Sequence, residues 1–204
     1  MKSGFHVGAF SGVIAQSLAA NSVLFAFRNP SQQRGLRVQR VEAFARTITG
    51  PGTGQDFDLA AALATAFTAN YTGGTDLSDP AAAPLAYFPV GPESGLAQRK
   101  QGSDTPSVLL SGNIMIATTA GLATATPTIS AFPFAFDNGF EFTAIATAAR
   151  PPGLNLLWTP TGEEIEGGKG LVFKQDTGFV IRNPTATGAG HTFRLYVRVA
   201  WGEQ

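Results

Sequence analysis

Glycine and proline are scattered along this chain so closely that few segments could continue as a long helix. There are 24 glycines and 13 prolines among the 204 residues, and both residue types end or weaken helices. Between them lie short runs rich in Val, Ile, Phe, Thr and Tyr, which are typical of β-strands. The sequence therefore predicts an all-β protein, and more specifically an antiparallel β-sandwich.

The strand pattern is clearest in residues 191–201, where apolar side chains occupy every second position. Because successive side chains of a strand point to opposite faces, this alternation predicts a strand with one buried face. In residues 36–48 the parity of the apolar positions changes near Gln39 and Arg40, which predicts a β-bulge. Further strands are predicted at residues 23–28, 113–119, 140–146, 154–158, 170–175 and 179–182.

Residues 57–71 fit two kinds of secondary structure. Apolar residues of one parity run through the whole segment, which indicates a strand. Several of the same residues also match the spacing of a helix, and the alanines favour a helix. We favour a strand because the parity holds throughout and Gly73 and Gly74 would follow it as a turn.

The predicted organisation is one sandwich domain, residues 21–204, preceded by an N-terminal arm, residues 1–20. A chain of this length fits a single all-β domain, and residues 76–106 form one long loop rich in Pro, Ala and Gly. The arm is expected to pair with partner proteins, so that deleting residues 1–20 would leave a folded sandwich that no longer joins its assembly. The predicted assembly interface consists of the apolar arm residues Phe5, Phe10, Val13, Ile14 and Leu18.

The charge composition indicates protein partners. Only 14% of the residues are charged, against ~25% in typical soluble domains, and basic and acidic residues balance at 14 each. A neutral chain gives little electrostatic repulsion between copies and lacks the basic footprint that binds nucleic acid. The N-terminal apolar run contains His6, Ser11 and Gln16, and no stretch approaches the ~20 apolar residues of a membrane span. We expect a homo-oligomer with no nucleic acid, no membrane helix and no secretory signal.

Few residues are suited to catalysis or to metal binding. The chain has no cysteine, so disulfides, thiolate metal sites and cysteine nucleophiles are absent. His6 and His191 could each act as a general base, but a structural role is the more common one for such isolated histidines. The carboxylate pairs in residues 56–58 and 76–79 lack the spacing of a calcium loop. The expectation is a protein that is not an enzyme and that holds no metal or cofactor, although spacing alone leaves open a glycosidase-type pair of carboxylates.

Five arginines stand out on two predicted strands. If these two strands were neighbours in a sheet, their polar faces would form a modest basic strip. Because the chain as a whole is neutral, such a strip would be better suited to carboxylates of another protein than to nucleic acid. The residues are Arg37, Arg40 and Arg46 on one strand and Arg194 and Arg198 on the other.

Four short patterns, spread over about half of the chain, resemble jelly-roll-like virion proteins of tailed phages. They are Tyr71-Thr72-Gly73-Gly74-Thr75, Leu157-Trp158-Thr159-Pro160 followed by Glu163-Glu164, Gly170-Leu171-Val172-Phe173, and Val199-Ala200-Trp201-Gly202-Glu203. The family includes capsid decoration (cement) proteins and fibre proteins. The resemblance implies a jelly-roll-like sandwich, a homotrimer bound to the major capsid protein or other virion proteins, and a place in a virion assembled in the host cytoplasm. It implies no catalytic residues.

The leading hypothesis is therefore a decoration protein that stabilises a capsid by binding between its subunits. The alternative is a tail, baseplate or fibre component with a carbohydrate-binding β-sandwich. In that alternative Tyr71, Tyr87 or Trp158 would lie on an exposed face and stack on sugar rings.

Overall fold

The computed structural model describes residues 4–15, 17–32, 35–49, 56–78, 86–88, 113–123, 125–133, 141–145, 154–158 and 171–203. All regular secondary structure in these residues is β, which confirms the predicted fold class. In chain order the strands are β1 Gly4–Phe10, β2 Ser22–Asn29, β3 Leu36–Thr49, β4 Asp56–Thr65, β5 Gly74–Asp76, β6 Ala86–Phe88, β7 Ile114–Ala117, β8 Thr128–Pro133, β9 Glu141–Ile145, β10 Leu154–Trp158, β11 Leu171–Phe173, β12 Thr177–Asn183 and β13 Thr192–Glu203.

The strands form two antiparallel sheets that pack together as a sandwich. Sheet A has the order β10-β3-β13-β1-β6, and β11 also pairs with β3. Sheet B has the order β5-β7-β2-β12-β4-β8, and β9 also pairs with β4. Neighbouring strands are often distant in sequence, because the chain passes repeatedly from one sheet to the other.

The two strands with the clearest sequence patterns lie side by side in sheet A. β13 shows the predicted alternation, with its apolar positions buried and the residues between them at least partly exposed. β3 contains the predicted bulge: Ala200 pairs with Arg40 and Trp201 with Val38, so Gln39 is the extra residue. One extra residue in a strand shifts the alternation by one position. The apolar side chains after the bulge therefore still point into the core, although their parity in the sequence has changed.

The ambiguous segment 57–71 is a strand only in its first part. β4 ends at Thr65, and the next residue, Ala66, adopts a φ of 55°. A residue with positive φ cannot continue a strand. The chain turns there, and Phe67 and Tyr71 pack instead on the outer face of sheet B.

The main core lies between the sheets and contains a cluster of aromatic rings from both. Phe27 of β2 stacks on Phe179 of β12, with ring centroids 5.3 Å apart. It also meets Trp201 of β13 edge-on at 5.5 Å and Phe173 of β11 at 6.3 Å. Gly178 lets β2 and β12 approach closely, because a Cβ there would lie 1.8 Å from the carbonyl oxygen of Phe27.

A second apolar cluster covers the outer face of sheet B. Val23, Ala26, Ala62, Ala64, Met115 and Val180 of the sheet pack with Phe67 and Tyr71. Arg28 holds this segment in place: its Nη1 donates to Asn70 Oδ1 at 2.6 Å and its Nη2 pairs with Asp176 Oδ1 at 2.6 Å. Loops of the chain itself therefore cover much of this outer face.

The division into an arm (1–20) and a sandwich (21–204) is corrected by the structure. β1 lies inside sheet A, between β13 and β6, and all seven of its residues pair with β13. After β1 the chain stays attached to β13, since Ile14 and Phe193 exchange both of their backbone hydrogen bonds. The first part of the chain is thus a strand of the sandwich and its continuation.

The predicted long loop, residues 76–106, also needs a correction. Asp76 is the last residue of β5, and β6 forms the edge strand beside β1. The two remaining parts of the predicted loop, residues 79–85 and 89–106, lie outside the described residues.

Candidate functional site

The two outer faces of the sandwich differ. Whereas much of the outer face of sheet B is covered by loops, side chains of sheet A that point away from the core are at least partly exposed. We call this surface the outer face of sheet A. Its described members are Gly8, Phe10, Arg37, Arg40, Glu42, Phe44, Arg46, Val172, Arg194, Tyr196, Arg198 and Ala200.

Three aromatic rings form a row across the outer face of sheet A. Tyr196 pairs with Phe44 on one side and with Phe10 on the other. The ring centroids of Phe10 and Tyr196 are 4.8 Å apart, and those of Phe44 and Tyr196 are 6.1 Å apart. Phe10 is 63% exposed. Because Phe10, Tyr196 and Phe44 come from three adjacent strands, they form one continuous apolar strip, which we call the aromatic row.

Gly8 gives Tyr196 the room to lie against β1. A Cβ on Gly8 would come within 3.2 Å of Tyr196 Oη and 3.7 Å of Arg198 Cγ. A larger residue would therefore push the Tyr196 side chain away from this position. The absence of a side chain at position 8 shapes this part of the aromatic row.

Arginines lie on both sides of the aromatic row, and the predicted basic strip is present. β3 and β13 are neighbours, as the strip required. The outer face of sheet A carries five arginines and one glutamate, a net charge of +4. Because the whole chain has a formal charge of zero, its other residues together carry −4. The charge of the chain is therefore distributed unevenly.

The arginines on the two sides of the aromatic row have different surroundings. On one side Glu42 pairs with Arg40, and its other oxygen lies 3.7 Å from Arg198. On the other side Arg46 and Arg194 are directly opposite each other and both are exposed. Within the part of the chain that the structure describes, no carboxylate forms an ion pair with either of these two arginines.

The residues predicted as an assembly interface are separated by the structure. Ile14 and Leu18 are buried in the core of their own sandwich, which corrects their assignment to a partner surface. The burial has a simple cause, since residues 11–14 run along β13 and Leu18 exchanges hydrogen bonds with Thr187. Val13 is half-buried, and Phe10 is exposed in the aromatic row. The backbone of Phe5 lies in β1, and its side chain is outside the described part.

The candidate general base His191 lies in the core. It is 1% exposed, and its ring stacks on Phe193 with centroids 5.2 Å apart. Burial lowers the pKa of His191 below its ordinary value of 6.5, because the charged imidazolium loses its hydration there. The side chain of the other candidate, His6, is not among those described.

We expect this burial to make the protein less stable in acid. Between pH 6.5 and the lower pKa of folded His191, the unfolded chain binds a proton that the folded chain does not, so the free energy of unfolding falls as the pH falls. Urea unfolding at pH 7.5, 6.5 and 5.5 measures this slope. His191→Gln should flatten it, whereas His6→Gln, at the only other histidine, serves as the control. An unchanged slope in the His191 variant would refute the expectation.

Other candidate residues have structural surroundings. Tyr71, one of the proposed sugar-stacking residues, is buried in the second apolar cluster, and burial raises its pKa to about 12. Asp76 accepts hydrogen bonds from the backbone N–H and the hydroxyl of Ser78, at 2.9 and 2.6 Å, and so closes a turn. The side chains of Tyr87 and Trp158 lie outside the described part.

The described residues contain no group of three or more His, Asp or Glu side chains that could hold a metal ion. They also contain no helix long and apolar enough to cross a membrane.

Comparisons with family models, curated proteins and solved structures gave no significant match. The outer face of sheet A combines aromatic rings that are at least partly exposed with two arginines, Arg46 and Arg194, that form no ion pair with a carboxylate among the described residues.

Proposed function

We propose that the protein is a structural, non-enzymatic component of a virion, and that it attaches to other protein subunits through the outer face of sheet A. One observation carries the proposal: a continuous row of aromatic rings, flanked by arginines, lies on the outward side of a sheet whose other face is the protein core, with Phe10 exposed and Tyr196 and Phe44 partly exposed. Aromatic residues and arginine are enriched in protein–protein interfaces and at their energetic hot spots.

The strand order supports the narrower proposal of a jelly roll. Without the additional strands, sheet A has the order β1-β13-β3-β10 and sheet B the order β2-β12-β4-β9. This order agrees with the two Greek keys that are typical of a jelly roll. Jelly rolls occur in viral capsid domains, although also in lectins and cupins. The fold is therefore consistent with a shell protein. The support for attachment comes from the outer face of sheet A.

The charge of this face supports attachment to a different protein surface. Two copies of a +4 face brought together would repel each other, whereas an acidic surface of a capsid or tail subunit would be attracted. A decoration protein that binds between capsid subunits attaches to a protein other than itself, as this charge requires, and a homotrimer would form through other parts of the chain. We propose the decoration role on this basis.

The experiment is to measure the chain in purified particles. Particles from its source culture are separated on a density gradient, and copies of the chain per shell are counted by mass spectrometry. We expect the wild-type chain in the particle fraction and an occupancy at least tenfold lower for the double variant Phe10→Ala/Tyr196→Ala. Lys174→Ala, an exposed residue outside this face, is the control and should keep full occupancy.

Two results would contradict the proposal in different ways. If the wild-type chain does not sediment with particles, the virion role is wrong. If the double variant binds particles as well as the wild type while remaining folded, attachment through the outer face of sheet A is wrong.

One observation favours the carbohydrate-binding alternative. The aromatic row is at least partly exposed beside Glu42 and several arginines, and accessible aromatic rings near polar groups can stack on sugars. In this alternative Phe10 and Tyr196, rather than the buried Tyr71, would stack on the sugar rings. A glycan array separates the two functions: saturable binding of one glycan class that is lost in Tyr196→Ala would favour the carbohydrate role.

A further inference from the structure

We propose that Arg46 and Arg194 form a binding site for a carboxylate side chain of a partner protein. The partner segment would be extended, with an acidic residue over these two arginines and an apolar residue two positions away over the aromatic row. This inference rests on the proposed function, because it names the chemistry of the partner that docks on the outer face of sheet A.

The positive charge of the pair Arg46 and Arg194 is unbalanced. Arg46 and Arg194 are directly opposite each other on neighbouring strands, and like charges in this position destabilise a sheet. They have no ion pair with a carboxylate among the described residues, whereas Arg40 and Arg198 share Glu42. A carboxylate from outside would remove the repulsion and accept hydrogen bonds from both guanidinium groups.

The distance between the arginine pair and the aromatic row matches the repeat of an extended chain. Along both strands the next outward residues are Phe44 and Tyr196, which also pair with each other. Residues on one face of a strand repeat every two positions, which is about 7 Å. An extended partner segment has the same repeat, so its residues i and i+2 can meet the arginines and the aromatic row together.

The charge of the face also decides which partner is favoured. A second copy presenting the same face would add another +4, so symmetric pairing of this face is disfavoured. The remaining attraction is toward carboxylates, and the aromatic row selects for a segment that also carries apolar side chains. An acidic, partly apolar protein segment satisfies both requirements.

The test uses the full chain and a synthetic peptide, acetyl-Glu-Thr-Phe-Thr-Glu-amide with a fluorescent label, in a fluorescence anisotropy titration. We expect saturable binding that weakens with added salt, since exposed charge pairs are screened. The dissociation constant should rise at least tenfold for Arg46→Ala/Arg194→Ala. Lys174→Ala, which removes an exposed positive charge between β11 and β12 and outside this face, is the control and should change it less than threefold.

Several results would overturn the inference. Equal affinity for a peptide with lysine in place of glutamate would show that charge is not recognised. Equal affinity of the double variant, shown to be folded by circular dichroism, would exclude the arginine pair. Binding of a 20-base-pair DNA duplex more tightly than the peptide would indicate a phosphate site instead.

The inference and the proposed function can fail separately. If Arg46→Ala/Arg194→Ala still enters particles at wild-type occupancy while Phe10→Ala/Tyr196→Ala does not, the carboxylate site is wrong and the proposed function stands. If the wild-type chain is absent from particles but binds the acidic peptide through Arg46 and Arg194, the virion role is wrong and the site stands.

Discussion

Deletion of residues 1–20 is expected to leave a chain that does not fold. The deletion removes β1 from the interior of sheet A, and with it the buried side chains of Val7, Ile14 and Leu18. Each such side chain contributes about 1.5–3 kcal/mol when buried, so the three together contribute roughly 5–9 kcal/mol. The whole free energy of unfolding of a domain is only about 5–15 kcal/mol. Circular dichroism and urea unfolding of the truncated chain measure the effect.

A shorter deletion provides the control. Removing only residues 2 and 3 leaves every pair between β1 and β13 in place and should keep the unfolding midpoint near that of the wild type. If the chain lacking residues 1–20 unfolded cooperatively at the wild-type urea concentration, this part would be a separable arm after all. The deletion is therefore a test of folding and is unsuited as a test of partner binding.

Replacing Phe27 with alanine is expected to reduce the free energy of unfolding by about 3–5 kcal/mol, the usual cost of removing a large buried aromatic side chain. Phe27 is fully buried and contacts rings of both sheets, Phe179 in its own sheet and Trp201 and Phe173 in the other. The vacant space would lie at the point where the two sheets meet. Urea unfolding at pH 7.5 measures the loss.

Phe10→Ala is the matched control, because it removes the same side chain from the surface. Phe10 is 63% exposed, so its replacement should cost no more than about 1 kcal/mol, mainly from the lost contact with Tyr196. A Phe27 variant that lost less than the Phe10 variant would contradict the packing described for the core.

The strands of this fold were predictable where one face is buried and the pattern is long. In β13 and β3 the alternation determined both the strands and the side chains that face the core, and the change of parity located the bulge at Gln39. The pattern failed to show where β4 ends, because the positive φ of Ala66 depends on tertiary packing and alanine gives no local signal for it.

The first strand was missed for a different reason. Val7 and Ala9 do alternate with Gly8 and Phe10, but Gly8 and Ala9 are small, and Phe10, the largest of the four residues, is exposed. The segment was therefore predicted to be an arm that pairs with partner proteins. Ser11 is in fact buried, and its Oγ accepts a hydrogen bond from the backbone N–H of Leu195 at 2.8 Å. A buried polar residue whose hydrogen-bond partner lies on a distant strand cannot be distinguished, in the sequence alone, from an exposed polar residue.

The functional face could be predicted only in part. The arginines of β3 and β13 indicated a basic strip on the condition that these strands are neighbours, and the sequence does not contain that adjacency. The aromatic row had no signal at all, because Phe10, Phe44 and Tyr196 are far apart in the chain and are brought together only by strand pairing. Long-range pairing, rather than local propensity, decides the composition of this surface.

The position of β13 has a consequence for synthesis of the protein in the cell. It is the middle strand of sheet A but the last strand in chain order, and its Leu195 bonds to a residue 184 positions earlier. A ribosome adding about 5–20 residues per second needs roughly 10–40 s between these two points. Until then β1 and β3 lack their common neighbour, and two of the residues proposed to meet a partner, Arg194 and Tyr196, have not been made. A chain that ends before β13 would therefore lack both the middle strand of sheet A and half of the proposed arginine pair.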